Sequence, residues 1–235
     1  MILALESSGL VASVALVTED KVIGEYTTNF KKTHSQTLLP MMDALLQMTG
    51  ISLEEIDAIA VSGGPGSFTG LRIGSATAKG LGLALDKPLI SVPTVDAIAY
   101  NLCGTNDLVC PLMDARRSQT YTGLYAFEGS RMITVLPQRA VGIEEILEEV
   151  NAQGRKVIFL GDGVPVFREA IREKITVDYD FAPVHLCMQR AAALGALAAQ
   201  YFAEGKTESA REHKPDYLRL SQAERELAEK RKRSS

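Results

Sequence analysis

The chain has 235 residues, 46% hydrophobic and 23% charged, enough to bury the core of one large domain or two small lobes. Residues 206–235 hold nine Lys/Arg and six Asp/Glu, whereas the rest of the chain holds 16 and 23, so the main body is acidic. An acidic body argues against a protein that binds nucleic acid on its own. Three cysteines without a C-x-x-C pair predict free thiols in a reducing compartment. With no basic leader and no apolar run of about 18 residues, we expect a cytoplasmic protein without a membrane span.

Apolar runs and helical spacing predict the elements of the first half. Short strands are predicted at residues 2–5, 12–17, 21–26, 58–61 and 89–92. A helix is predicted over 38–46, with Pro40 either near its start or kinking it. Ser52 and Glu55 form a capping box that opens a short helix. A further helix, made mostly of small residues, is predicted from Ile73 onward.

The second half repeats this order of elements. Strands are predicted at 108–113, 120–127, 131–136 and 157–160, and helices at 144–150 and after Pro165. In this repeat Asp114 corresponds to Glu6, and the glycines at 161–163 correspond to those at 63–70. We therefore predict an α/β protein of two similar lobes with mixed sheets and a cleft between them. The predicted boundaries are 1–104, 105–220 and a charged tail, 221–235.

The last long helix of the second lobe is predicted from Arg190 to Glu204. It consists almost entirely of alanine and leucine on two faces, so we expect it to be buried or to lie between the lobes, packed back on the first lobe. Ser221 and Glu224 form another capping box at the start of the charged tail.

A glycine-rich loop, Gly63–Gly74, follows a predicted strand and precedes a predicted helix. Such a loop points backbone N–H groups and a helix N-terminus at an anion or at a close partner. The spacing matches neither G-x-x-x-x-G-K-[ST] nor G-x-G-x-x-G. A tight structural turn that lets the helix pack closely on the sheet explains the glycines equally well.

An acid at the end of the first strand of each lobe resembles the actin, Hsp70 and sugar-kinase (ASKHA) superfamily, in which two hairpin turns grip phosphate. The turn after Glu6 keeps small residues, but the turn after Asp114 contains two bulky cations that obstruct close approach to phosphate. An arginine pair can also bind an anion or a partner's carboxylate, or form surface salt bridges. The residues of this degenerate nucleotide or anion site are Glu6, Ser7, Ser8, Gly9, Arg116 and Arg117.

Five strings, in family order and across nearly the whole chain, resemble the TsaB (YeaZ) family. They are 3–8 (LALESS), 34–40 (HSQTLLP), 64–74 (GPGSFTGLRIG), 114–117 (DARR) and 215–219 (PDYLR). The resemblance implies a bacterial accessory subunit of the machinery that makes N6-threonylcarbamoyladenosine (t6A) at position 37 of tRNA. It implies a TsaD-like catalytic partner and a TsaE-like ATPase, with tRNA reached only through the complex. Glu6 departs from the aspartate common in the family.

The residues also support a non-catalytic role without cofactor or metal. The catalytic relative carries an H-x-x-x-H metal pair where this chain has Thr94 and Ile98, and neither can replace an imidazole ligand. The three histidines lie far apart in sequence, so no Ser/His/Asp or Cys/His set can be proposed from spacing. The alternatives are an autonomous ATPase or small-molecule kinase of the same fold, and a metallopeptidase, against which the missing ligands weigh heavily.

Two helices are predicted to form the contact with TsaD, and with a second copy when the protein is alone. The first is apolar on more than one face, which leaves Met41 and Leu45 as an exposed strip. The second has a ridge of small residues, Gly70, Gly74, Ala78 and Gly82, which lets another helix approach closely or packs inside the protein. The predicted interface residues are Leu38, Met41, Met42, Leu45, Phe68, Arg72, Ser75, Ala78 and Lys79.

Overall fold

The computed structural model describes residues 1–30 and 33–218. The first lobe contains a sheet of five strands in the order β3-β2-β1-β4-β5. These strands are β1 Ile2–Glu6, β2 Ala12–Val17, β3 Val22–Thr28, β4 Ala58–Gly64 and β5 Leu89–Pro93. Its helices are α1 His34–Thr49, α2 Phe68–Leu85 and α3 Thr94–Ala99, with short 3₁₀ turns at Leu53–Glu55 and Tyr100–Leu102. The predicted tail at 221–235 lies outside the described residues.

The second lobe has the same topology. Its strands are β6 Leu108–Asp114, β7 Gln119–Glu128, β8 Arg131–Gly142, β9 Val157–Leu160 and β10 Tyr179–Phe181, in the order β8-β7-β6-β9-β10. Its helices are α4 Ile143–Ala152, α5 Val164–Lys174 and α6 Ala191–Ala203. In each lobe the central strand pairs antiparallel with the second strand and parallel with the fourth. This confirms the predicted duplication, and Glu6 and Asp114 are both the last residue of a central strand.

Each lobe's last helix packs on the sheet of the other lobe. Because side chains alternate along a strand, β1 turns Leu3 and Leu5 toward α1 and α2, and Ile2 and Ala4 toward α6. Gly195 of α6 lies close to the Ala4 side chain, so the small residues predicted for this helix permit close contact with the sheet. Similarly, α3 of the first lobe packs on one face of the second sheet, and α4 and α5 cover the other face.

Side chains of the first sheet also cap the N-terminus of α6. The backbone N–H of Ala191 donates to Ser13 Oγ at 3.0 Å, and that of Ala192 donates to Glu25 Oε1 at 2.9 Å. Arg190 forms an ion pair with the same Glu25 carboxylate. A helix N-terminus favours a negative charge, so this contact couples the two halves of the chain electrostatically as well as by packing.

Two helix boundaries differ from the prediction. Helix α1 begins at His34, and Pro40 is its seventh residue rather than its start. Helix α2 begins at Phe68 inside the glycine-rich segment, where the hydroxyl of Ser67 accepts the N–H of Gly70 at 3.3 Å. Much of the predicted loop is therefore the end of β4 and the first turn of a helix. Within the described residues, none of the helices is long and apolar enough to cross a membrane.

A buried hydrogen bond joins the two lobes where α3 packs on the second sheet. The hydroxyl of Tyr125, on β7, donates to Asp96 Oδ1, on α3, at 2.6 Å. Burial raises the pKa of the Asp96 carboxyl, and the hydrogen bonds from Tyr125 and from Tyr201 of α6 oppose that rise. One carboxyl group thus connects the two exchanged helices and the second sheet.

Replacing Tyr125 by Phe should lower the free energy of unfolding by about 1–3 kcal/mol, because a buried carboxyl loses one of its two hydrogen-bond donors. Urea denaturation followed by circular dichroism measures the change. Tyr179→Phe is the matched control, since this tyrosine contacts Phe159 and Phe181 through its ring. Equal losses in the two variants would contradict the role given to the Asp96 contact.

Candidate functional site

A cleft of about 680 Å³ lies between the lobes, next to the turns that follow Glu6 and Asp114. Its walls come from the first turn, the start of α2, the second turn, the loop before α5 and the C-terminal segment. The lining residues are Ser8, Gly9, Leu10, Pro65, Gly66, Ser67, Phe68, Leu71, Met113, Asp114, Ala115, Arg116, Tyr121, Asp162, Val166, Asp216, Tyr217 and Leu218. Of the six residues predicted for an anion site, Ser8, Gly9 and Arg116 line this cleft.

The carboxylate of Glu6 is bonded inside the first lobe. Its Oε1 accepts hydrogen bonds from the backbone N–H and the hydroxyl of Ser8, both at 2.6 Å, and from the hydroxyl of Ser62 at 3.2 Å. Burial raises the pKa of this carboxyl, and the Ser8 hydrogen bonds oppose the rise. Glu6 therefore fixes the shape of the first turn.

The glycine-rich segment packs directly on the backbone of that turn. The N–H of Ser67 donates to the Ser8 carbonyl at 2.6 Å, and the hydroxyl of Ser7 donates to the Gly70 carbonyl at 2.9 Å. A Cβ atom on Gly66 would collide with the carbonyl oxygen of Ser8, and a Cβ atom on Gly70 would collide with that of Ser7. The glycines therefore permit close backbone packing, as expected if the loop is a tight structural turn rather than an anion-binding loop. No room is left for a phosphate between the loop and the first turn.

Two residues that were not predicted as part of the site, His34 and Gln189, contact Gly9 of the first turn. His34 Nε2 lies 2.9 Å from the Gly9 carbonyl oxygen. Gln189 approaches Gly9 so closely that a side chain at this position would collide with its amide. The position of His34 within the HSQTLLP string was the available signal, whereas nothing in the local sequence marks Gln189.

The second turn is strained and carries its arginines outward. Arg116, Arg117 and Ser118 have φ angles of 65°, 58° and 58°, which cost about 1–2 kcal/mol each relative to right-handed backbone. Asp114 holds the turn, since its carboxylate accepts the N–H of Arg116 at 2.8 Å and pairs with the guanidinium at 3.1 Å. The charge of Arg116 is therefore engaged by Asp114, and its side chain is 83% exposed.

A second acid, Asp162, lies in the loop between β9 and α5. Burial raises the pKa of its carboxyl, as does the nearby charge of Asp114, while backbone hydrogen bonds at Asp114 and at Asp162 itself and the charge of Arg116 oppose the rise. Its Oδ1 is shielded from solvent and has no hydrogen-bond partner. The prediction recognised the glycines on either side of Asp162 but did not assign the acid to a site.

The positions compared with the metal pair of the catalytic relative lie in the core. Thr94 is fully buried and Ile98 is 1% exposed, packed against the second sheet. Across residues 1–30 and 33–218, no group of three or more His, Cys, Asp or Glu side chains could hold a metal ion.

Five of the predicted interface residues are buried in the first lobe, which corrects the prediction. Leu38, Met42 and Leu45 of α1 pack on the sheet, so Leu45 is not part of an exposed strip. Ser75 and Ala78 of α2 are buried together with the ridge of small residues. The reason is that α2 uses this ridge to approach its own sheet, with Gly74 against Ser7 and Val61. Replacing Ala78 by Arg would therefore disrupt the core rather than test an interface.

Large apolar side chains are nevertheless exposed on α1 and α2. Leu39 is 50% exposed, Met48 is 78% exposed and Leu83 is 54% exposed. Met41 and Lys79 are half-buried, whereas Arg72 is exposed. A Cβ atom added at Gly80 would meet no neighbour within 4 Å, so α2 also has an open position on this face.

The C-terminal segment 205–218, which we call the strap, runs along α2 to the cleft. Glu208 pairs with Leu89 of β5, and Lys79 Nζ donates to the carbonyls of Arg211 and His213. The N–H of Asp216 then donates to the Gly63 carbonyl at 2.6 Å. The tyrosine that follows packs on Phe68 at 4.8 Å between ring centroids, with Arg72 on the same ring at 4.0 Å. The strap thus connects the outward face of α2 with the cleft.

Comparison with known proteins identifies the family. Residues 21–227 match the family described as "TsaD: tRNA N6-adenosine threonylcarbamoyltransferase". The chain is 34% identical to the Bacillus subtilis "tRNA threonylcarbamoyladenosine biosynthesis protein TsaB", over 98% of this chain and 99% of the relative. It is 32% identical to the Escherichia coli protein of the same name, over 96% and 97%. The chain belongs to the TsaB (YeaZ) family.

Solved structures agree with this assignment. YeaZ from Pseudomonas aeruginosa is similar with a TM-score of 0.79 and 28% identity, over 92% of this chain and 98% of that one. A polyphosphate/ATP-glucomannokinase from Arthrobacter shares only the fold, with a TM-score of 0.52 and 10% identity over 87% and 98%. The predicted ASKHA fold is thereby confirmed.

Replacing Gly70 by Ala should lower the free energy of unfolding by about 3 kcal/mol, because the new methyl group collides with the Ser7 carbonyl. Gly80→Ala is the control within the same helix, and it should gain up to about 1 kcal/mol from helix propensity in open space. Thermal and urea denaturation measure both. If Gly70→Ala were as stable as the unsubstituted protein, the close packing of loop on turn would be disproved.

Proposed function

We propose that this protein is an accessory, non-catalytic subunit of the cytoplasmic machinery that makes t6A in tRNA. In this proposal it binds a TsaD-like catalytic subunit together with a TsaE-like ATPase, and it reaches tRNA only through that complex. The observation that carries the proposal is the similarity, over nearly the full length of both chains, to proteins named for t6A biosynthesis.

The shape of the cleft supports a non-catalytic role. In this fold the two turns after the central strands would have to grip phosphate, but the first turn is covered by the glycine-rich segment at backbone contact. The second turn presents two arginine side chains where small residues are needed. The two turns are therefore poorly suited to grip a phosphate, although the cleft beside them is open.

The outward faces of α1 and α2 supply the docking surface in this proposal. They contribute three large exposed apolar side chains, Leu39, Met48 and Leu83, and exposed apolar patches mark interaction sites. We infer that the TsaD-like subunit covers this face, and that the same face joins two copies when the protein is alone. Exposed Arg72 and half-buried Lys79 lie at its edge, where the strap crosses α2.

Met48→Arg and Leu83→Arg should each weaken both contacts by about tenfold or more, because a charge would be placed in an apolar interface. Light scattering behind a sizing column reports the homodimer, and co-purification reports binding of the TsaD-like subunit. Val184→Arg is the matched control, since this side chain is 91% exposed on the second lobe. If both helix variants still dimerise and still bind the catalytic subunit, the interface lies elsewhere.

An autonomous ATPase or small-molecule kinase is the second candidate, favoured by the 680 Å³ cleft and by the fold shared with a glucomannokinase.

In reconstitution, the lone protein should leave tRNA unmodified. Addition of the TsaD-like and TsaE-like subunits with threonylcarbamoyl-adenylate should produce t6A, measured by mass spectrometry of tRNA nucleosides. Titration of the lone protein with ATP and Mg²⁺ provides the discriminating measurement. Micromolar binding accompanied by turnover would favour the kinase reading and contradict ours.

A further inference from the structure

Large apolar side chains are exposed on the rim of the cleft. Leu10 is 67% exposed and Val166 is 58% exposed, and they lie on the first and second lobes respectively. Tyr217 and Leu218 of the strap, each more than a third exposed, line the same cleft. Four large apolar side chains from three parts of the chain therefore converge on one opening, which is typical of a binding site.

The floor of the cleft carries more carboxylates than cations among the described residues. Asp114 is paired with Arg116 at 3.1 Å, whereas Asp162 takes part in none of the ion pairs among the described residues. The charge of Arg116 also acts on the Asp162 carboxyl, so this one cation is shared between two carboxylates. Asp216 adds a third carboxylate to the same lining.

We propose that this cleft binds a short segment of a partner protein in which one arginine or lysine lies between apolar side chains. The cation pairs with Asp162 on the floor, and the flanking apolar side chains cover Leu10 and Val166 on the rim. A volume of about 680 Å³ accommodates a few side chains. Phosphate-bearing ligands fit the floor poorly, because Asp162 and Asp216 repel anions and Arg116 is already engaged by Asp114. The inference does not rest on the proposed function, whose docking face lies on α1 and α2.

The test uses the full chain and two fluorescein-labelled peptides, Leu-Leu-Arg-Leu-Leu and the same sequence with neutral citrulline replacing arginine. Fluorescence polarisation should show that the arginine peptide binds about tenfold more tightly or better. Asp162→Asn should remove this difference without affecting the citrulline peptide. Val166→Ser should weaken both peptides equally, because it changes only the apolar rim.

Two control variants make the same chemical changes outside the cleft. Asp178→Asn removes an exposed carboxylate of the second lobe, and Val184→Ser removes an exposed valine. Both should bind the two peptides like the unsubstituted protein. Thermal denaturation of all four variants verifies that they are folded. Because Asp162 and Val166 lie outside α1 and α2, their variants should still bind the TsaD-like subunit, so the two proposals can fail separately.

Three results would overturn the proposal. The first is equal affinity for the arginine and citrulline peptides, or no measurable binding of either peptide. The second is a loss of binding in the control variants that matches the loss in the cleft variants. The third is peptide binding that appears only after residues 219–235 are removed, which would identify the chain's own Leu218-Arg219-Leu220 sequence as the occupant.

Discussion

The contact between the glycine-rich segment and the first turn is the constraint on which the rest of the structure depends. At Gly66 and Gly70 the backbone meets the carbonyls of Ser8 and Ser7 so closely that no side chain fits. This contact sets the position of α2 on its sheet and closes the space between turn and loop. The buried carboxylate of Glu6 holds the turn in the shape that this packing needs.

The same constraint separates two surfaces of the molecule. Since the small ridge of α2 is used for internal packing, its opposite side, with Leu83 and Gly80, becomes the outward face. The cleft, by contrast, has exposed apolar side chains on its rim and three carboxylates to one arginine in its lining. The strap runs from one surface to the other, bonded to Lys79 on α2 and packed on Phe68 at the cleft. A partner on either surface would therefore contact the strap or its immediate neighbours.

The duplicated order of elements was predictable because hydrophobic periodicity and capping signals are local. Strand periodicity, the capping box at Ser52 and the acids that end β1 and β6 all follow from residues close in sequence. The helix faces were not predictable in the same way. Helix α1 is apolar on more than one side, so its sequence does not say that Leu45 packs inward while Met48 remains exposed. The ridge of α2 fits a partner helix and a sheet equally well, and the packing of the lobe decides in favour of the sheet.

The sequence by itself determined the fold class, the family and the residues of the two turns, since each depends on motifs and spacing along the chain. Only the tertiary structure decided the packing of α3 on the second sheet, the engagement of Arg116 by Asp114 and the place of Asp162 in the cleft. It also brought Gln189 against Gly9 across 180 residues of sequence. The physical reason is that burial and hydrogen-bond partners are set by contacts between distant segments. A residue's local sequence specifies its own conformation but not which other parts of the chain surround it.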